Sequence, residues 1–179
     1  MIQHLYAHAS HPSRVIDELW VEVQRPTRDR LDLRYIAAGS IADLVVPEPQ
    51  APERRDELWM TTCFEIFLKP VGSSAYIEFN FSPSTRWAAY AFDAHRSGMR
   101  DLAISDPPVI ATAVEPKRLV VDVSLAVDLP ATAYDAAISA VIEDRAGPKS
   151  FWALAHPAGG PDFHDNACFA ADLPAPDRA

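Results

Sequence analysis

Apolar and polar residues alternate along this chain with a period of two, and no long stretch keeps the 3.6-residue period of a helix. Leu19, Val21 and Val23 alternate with Trp20, Glu22 and Gln24, and Leu31, Leu33 and Tyr35 with Asp32 and Arg34. Stretches 58–68, 75–81, 86–92, 109–114, 119–125, 136–142 and 151–155 are rich in strand-forming residues and bring the predicted strands to nine. Residues 13–19 and 96–102 each predict one helical turn at most. The sixteen prolines fall between these stretches, as expected of a residue expelled from helix interiors and central strands. The pattern predicts an all-β fold, an antiparallel β-sandwich with few short helical turns. Residues 47–57, PEPQAPERRDE, predict a long solvated loop, and residues 174–179 a frayed tail.

Length and charge narrow the picture. A chain of 179 residues is expected to form a single domain spanning 1–179, with its core over about 15–172. The formal net charge of −9 argues against a nucleic-acid partner, because such binding runs on clustered Lys and Arg. No apolar run is long enough for a membrane helix, so no membrane partner is expected. The N-terminal residues MIQHLYAHAS show no basic and apolar leader, which predicts a cytoplasmic protein with reduced thiols.

Alternation also assigns faces, because strand residues two apart point the same way. Trp59, Thr61, Cys63, Glu65 and Phe67 share one face, and Met60, Phe64, Ile66 and Leu68 the core face. Tyr76, Glu78 and Asn80 lie opposite the core residues Ile77, Phe79 and Phe81. Arg86, Ala88 and Tyr90 lie opposite Trp87, Ala89 and Ala91. One sheet face thus gathers flat aromatic rings with carboxylate, amide and guanidinium groups. That set suits a polyhydroxylated ring, which stacks on an aromatic and takes charge-assisted hydrogen bonds at its hydroxyls. A second reading stays open at this point: the aromatics cover the sheet and Glu and Arg pair across strands.

Other constellations carry less. His156 and His164 flank a Gly-Gly-Pro turn with Asp162 between them, and either line the mouth of the face or ligate a metal. His4, His8 and His11 read as a polar strand edge. Cys63 reads as a packed small side chain. Glu65 and Glu78 are the one candidate carboxylate pair for glycoside chemistry, on a face predicted to be flat and open to water. No GxSxG, GxGxxG or GxxxxGK[ST] motif is present.

The stretches LWMTTCFEIFLKP, YIEFNFSPSTRWAAYAFDAHRSGM and FWALAHPAGGPDFHD resemble the DOMON-like proteins of proteobacteria, which are grouped with the family 9 carbohydrate-binding modules. The resemblance implies a jelly-roll type β-sandwich that binds sugar or haem. Trp59, Glu65 and Arg86 match the clamp aromatic, acid and arginine of the sugar modules in type and order. Asn80 lies on a strand that carries polar contacts in that family. The modules' second clamp Trp, preceded by Asn, has no counterpart: Asn166 is followed by Ala167, Cys168 and Phe169. Trp152, Phe163 or His164 would have to replace it. The haem branch implies an axial pair of Met with His or Lys, for which Met60, Met99, His95, His156 and His164 are available, although no Met is fixed opposite a His. The expected function is therefore a non-catalytic module for a small polar ligand, most simply a sugar and without a resident cofactor. Its ligand set is Trp59, Glu65, Glu78, Asn80, Arg86, Tyr90, Trp152, His156 and His164. The alternatives are a haem-binding domain, a sugar-processing enzyme using Glu65 and Glu78, and a protein-interaction domain.

Overall fold

Strand β1 (Ile2–Ala7) belongs to two layers at once. Its first residues pair with β2 (Ile16–Thr27), and its last two, Tyr6 and Ala7, pair with Ala153 and Trp152 of β11 (Lys149–Ala153). The computed structural model, which describes residues 1–176, therefore contains one continuous sheet folded over on itself. The remaining strands are β3 (Arg30–Gly39), β4 (Cys63–Pro70), β5 (Tyr76–Phe81), β6 (Trp87–Phe92), β7 (Arg100–Asp101), β8 (Val109–Glu115), β9 (Arg118–Ala126), β10 (Tyr134–Glu143) and β12 (Ala171–Leu173). Their order is β7-β6-β5-β4-β10-β11-β1-β2-β3-β9-β8, with β12 beside the first residues of β10. All strand pairings are antiparallel. The fold is the predicted all-β sandwich, and among the described residues its only helices are three short 3-10 turns.

The core lies between the two layers. Leu19, Val21, Leu33, Tyr35, Val121 and Val123 come from one side, and Phe64, Ile66, Leu68, Phe79, Phe81 and Ile138 from the other. Tyr35 crosses the gap. Its ring lies 4.9 Å from that of Phe64, and its hydroxyl donates to the Glu65 carbonyl at 3.0 Å. This bond ties the first layer to the backbone of the strand that carries Glu65.

Several elements differ from expectation. Strand β4 begins at Cys63 rather than at residue 58. Leu58–Met60 form a 3-10 turn after Glu57, which sits at φ 60°. Met60 consequently leaves the core face and is exposed. Residues 13–19 run into β2 instead of making a helical turn. Arg96 and Gly98, at φ 50° and 65°, turn the chain into the short β7 where a helical turn was expected. Strands β1, β7 and β12 were not predicted, being short or polar. His4 pairs with Trp20 of β2, while β11 pairs only with Tyr6 and Ala7 further along β1. Gly39 sits at φ 154° beside a register shift in the β2–β3 ladder, where a Cβ would meet the Val15 carbonyl and lie 2.8 Å from Ile16 Cα. Of the predicted tail, residues 174–176 carry no regular structure, and 177–179 lie outside the described residues.

Candidate functional site

The outer face of β4, β5 and β6 would ordinarily meet water. Here the segment between β11 and β12 and the segment before β4 both fold over it. Cys63, Phe67, Tyr76, Tyr90 and Phe92 form a second buried cluster under Leu58 and Cys168, with Phe163 and Phe169 packed on it. The two coverings leave a cavity of about 600 Å³ between them, within the size range of small-molecule sites. Trp59, Tyr90, Phe92, Phe151 and Phe163 contribute its aromatic walls, Glu65, Glu78 and His164 its sheltered polar groups, and Arg96 an exposed cation at its rim.

Strand register builds the floor. Glu65 stands opposite Asn80 on β5 and Ser139 on β10, and Glu78 opposite Phe67 on β4 and Tyr90 on β6. The two glutamates are therefore diagonal neighbours on one face. They are 3% and 6% exposed. Ser139 Oγ donates to Glu65 Oε2 at 2.9 Å, and Asn80 Nδ2 donates to Glu78 Oε1 at 2.6 Å. Burial pushes both carboxyls well above the usual carboxylate range, to about 8 for Glu65 and about 7 for Glu78, and the charge of Glu78 adds to the shift of Glu65. Protons leave this pair in linked steps near neutrality.

A clasp holds the covering segment down. Arg96 Nη2 and Nε both donate to Asp162 Oδ1, at 2.7 and 3.1 Å, and His95 Nε2 lies 2.9 Å from Asp162 Oδ2. Burial works to raise the Asp162 pKa, but the hydrogen bonds from Arg96 and His95 outweigh it and hold the group at about 2. The backbone N–H of Arg96 donates to the Tyr76 hydroxyl oxygen at 3.2 Å, and that oxygen is 2.8 Å from His164 Nδ1. Tyr76 and His164 share one hydrogen bond there, and the other ring nitrogen, Nε2, lies 3.8 Å from Glu78 Oε2. Burial, reinforced by Arg96, lowers His164 to about 4, so its ring is neutral at pH 7.

The residues singled out from sequence divide. Trp59, Glu65, Glu78, Tyr90 and His164 line the cavity, and Asn80 supports it through Glu78. Arg86, Trp152 and His156 do not line it. Arg86 pairs with Glu53 at 3.0 Å. Trp152 is buried in the main core with its indole N–H on Ser150 Oγ at 3.0 Å, and its neighbour Phe151 faces the cavity instead. His156 lies against the His8 ring, its Nε2 2.8 Å from the Tyr6 carbonyl oxygen, apart from His164. Among the described residues no group of three or more His, Cys, Asp or Glu is placed to hold a metal ion. Asn166 binds Lys69 Nζ rather than the cavity. Cys63 is fully buried, and burial raises its thiol well above the ordinary value, which keeps it protonated.

Reasoning from the sequence missed Arg96 and Ser139, and placed Asp162 in the His156–His164 loop without its partner Arg96. The loop 47–57 is largely exposed, as expected, but two of its residues brace the site: Arg54 Nη2 donates to the Ala89 carbonyl at 2.6 Å with its guanidinium over the Trp87 and Tyr90 rings, and Asp56 accepts from the Tyr90 hydroxyl at 2.7 Å. The clustering of six charges in that loop was the one available signal.

The fold is an antiparallel β-sandwich whose outer face carries a roofed, aromatic-walled cavity. A candidate carbohydrate-binding protein from Bacteroides uniformis superposes with a TM-score of 0.65 at 15% identity, over 94% of this chain and 83% of that one. A family 9 carbohydrate-binding module from Caldicellulosiruptor kristjanssonii, in complex with glucose, superposes with a TM-score of 0.56 at 10% identity, over 95% of this chain and 81% of that one. The same organism's family 9 module in complex with cellotriose gives 0.55 at 12% identity, over 95% and 80%. No family model matches the sequence, and no curated protein is similar to it. At these identities the likeness is one of fold.

Proposed function

We propose that this chain is a non-catalytic binding module for a small carbohydrate, held in the cavity over β4, β5 and β6. One observation carries the reading. Aromatic walls and two buried, convergent carboxyl groups enclose a space of about 600 Å³, the combination that grips a sugar ring by its apolar face and its hydroxyls together. Trp59 supplies an exposed stacking surface at the mouth. Glu65 and Glu78 accept hydrogen bonds from the sugar hydroxyls, and Asn80 and Ser139 orient the two carboxyl groups. The glucose and cellotriose held by the structurally similar modules support this choice of ligand class. The motifs around Cys63–Pro70 and Asp162–His164 support, within the same proposal, a place beside the DOMON-like proteins.

The haem alternative finds a poor donor set here. Met99 and His164 both line the cavity, but the two ring nitrogens of His164 face Tyr76 and Glu78, and the buried acids oppose a propionate-bearing ring. A sugar-processing enzyme remains a second reading, favoured by one specific observation: Glu65 and Glu78 are sheltered from water, against the flat face expected, and their carboxyl groups titrate near neutrality as acid–base catalysis requires.

Thermal shift with a panel of mono- and disaccharides tests the binding reading. A sugar at about 100 times its Kd stabilises by roughly 2.7 kcal/mol, and each kcal/mol moves the midpoint of a domain this size by about 2–4 °C. A flat panel at millimolar sugar overturns it. Release of product from the shifting sugar on long incubation, lost in Glu65→Gln, would replace it with the enzyme reading.

A further inference from the structure

Building on the carbohydrate reading, we propose that the ligand of this cavity is an amino sugar carrying a free, protonated amine, seated on Glu65 and Glu78. Charge is the first argument. The floor presents two carboxyl groups, and the cavity's sole basic lining residue, Arg96, already directs two guanidinium nitrogens at Asp162. The second argument is an acceptor without a protein donor. Glu65 is almost wholly buried, yet the only donor that reaches its carboxylate among the described residues is Ser139, on Oε2. Oε1 is left for whatever enters. Glu78 Oε2 has only the neutral His164 ring, at 3.8 Å. Without a cation, the cost of ionising these buried carboxyls holds them protonated into the neutral range. A neutral hydroxyl offsets that cost weakly, while an ammonium group makes a charge-assisted hydrogen bond. The walls agree, since Trp59, Tyr90 and Phe163 offer ring faces to a cation as well as to a sugar.

Proton release follows from the same geometry. The titratable groups around the pair are Cys63, Tyr35, Tyr76, Tyr90 and His164, with the acids Asp56, Glu57 and Asp101 lining the same cavity and Arg96 and Asp162 as fixed charges. Burial keeps the thiol and phenols protonated and His164 neutral between pH 6 and 8. Only the two carboxyl groups change charge in that interval. Seating an ammonium group on them favours their ionised form and expels a proton. Affinity for the amine therefore rises with pH through this range until the amine itself loses its proton.

Isothermal titration of the full chain with glucosamine, glucose and N-acetylglucosamine tests this, run at pH 7 in two buffers of different ionisation enthalpy. Glucosamine is expected to bind about ten-fold more tightly than glucose, with proton release visible as a buffer-dependent heat that glucose does not show. Glu65→Gln, which keeps the shape and the Ser139 contact, should bring glucosamine down to the affinity of glucose and remove the buffer-dependent heat. A melting curve on the variant confirms that it folds. Should it fail to fold, the buffer-dependent heat and the pH dependence of the unaltered protein decide the matter. Equal or tighter binding of glucose and N-acetylglucosamine overturns the amine and leaves the carbohydrate reading standing. Binding by none of the three overturns both.

Discussion

Asn80 stands directly across the β4–β5 ladder from Glu65, yet it gives its amide to Glu78, two residues back on its own strand, at 2.6 Å. The amide thereby holds one carboxyl group in place and leaves the other to the cavity. The Asn80 hydrogen bond also acts to lower the Glu78 pKa against the larger effect of burial. In Asn80→Ala the Glu78 carboxyl should titrate at a still higher pH, followed by carbon NMR of the side-chain carboxyls. The lost buried hydrogen bond should cost about 1–3 kcal/mol in chemical denaturation.

Two tryptophans separate binding from folding. Trp59 is 52% exposed at the cavity mouth, and Trp152 is buried in the main core. Trp59→Ala should weaken sugar binding by up to about ten-fold, through loss of stacking, and leave the melting temperature nearly unchanged. Trp152→Ala should cost about 3–5 kcal/mol of stability. Calorimetry and thermal melts on both variants read the two effects separately.

Stability should depend on pH in a way that identifies the floor. Glu65 and Glu78 bind their protons more tightly folded than unfolded, so their contribution is full below the ordinary carboxylate range near 4.5 and is lost as pH rises through about 7 to 8. His164, lowered from 6.5 to about 4, works oppositely: its contribution grows as pH rises through that interval and is complete above it. Between pH 6.5 and 8 the carboxyl pair acts alone, and the melting temperature should fall. Glu65→Gln should flatten that fall and melt higher than the parent protein at pH 8.

The Asp162 clasp predicts a local effect. Arg96 and His95 are more than half exposed where they meet Asp162, and exposed pairs contribute about 0–1 kcal/mol to global stability. Asp162→Asn should therefore leave the global melt almost unmoved. Hydrogen exchange should accelerate at the amides near His164, whose own N–H donates to Asp162 Oδ1 at 3.2 Å, and ligand affinity should fall.

The central strands were legible because their core face is continuous. Phe64, Ile66 and Leu68 with Phe79 and Phe81 fix the register, and Glu65, Glu78 and Tyr90 must then face outward. Legibility failed where alternation has no core to anchor it. On the five-residue β11 an aromatic sits on each face, and the sequence reading chose Trp152 where Phe151 faces the cavity. Trp59 reaches the cavity from a 3-10 turn instead of a strand. Arg96 and Asp162 lie in turns and meet across the fold, 66 residues apart. No periodicity could have announced the roof they hold.

Strand β1 has a consequence for the order of events in folding. Because Tyr6 pairs with Ala153, the layers are joined through residues nearly 150 positions apart. Contacts of such long range slow folding, since the chain must close a large loop before the pairing is rewarded. During synthesis the early strands β2 and β3 can form their hairpin, but the seam through β1 must wait until β11 has left the ribosome. Until then Tyr6 and Ala7 lack their partner strand and present an open edge.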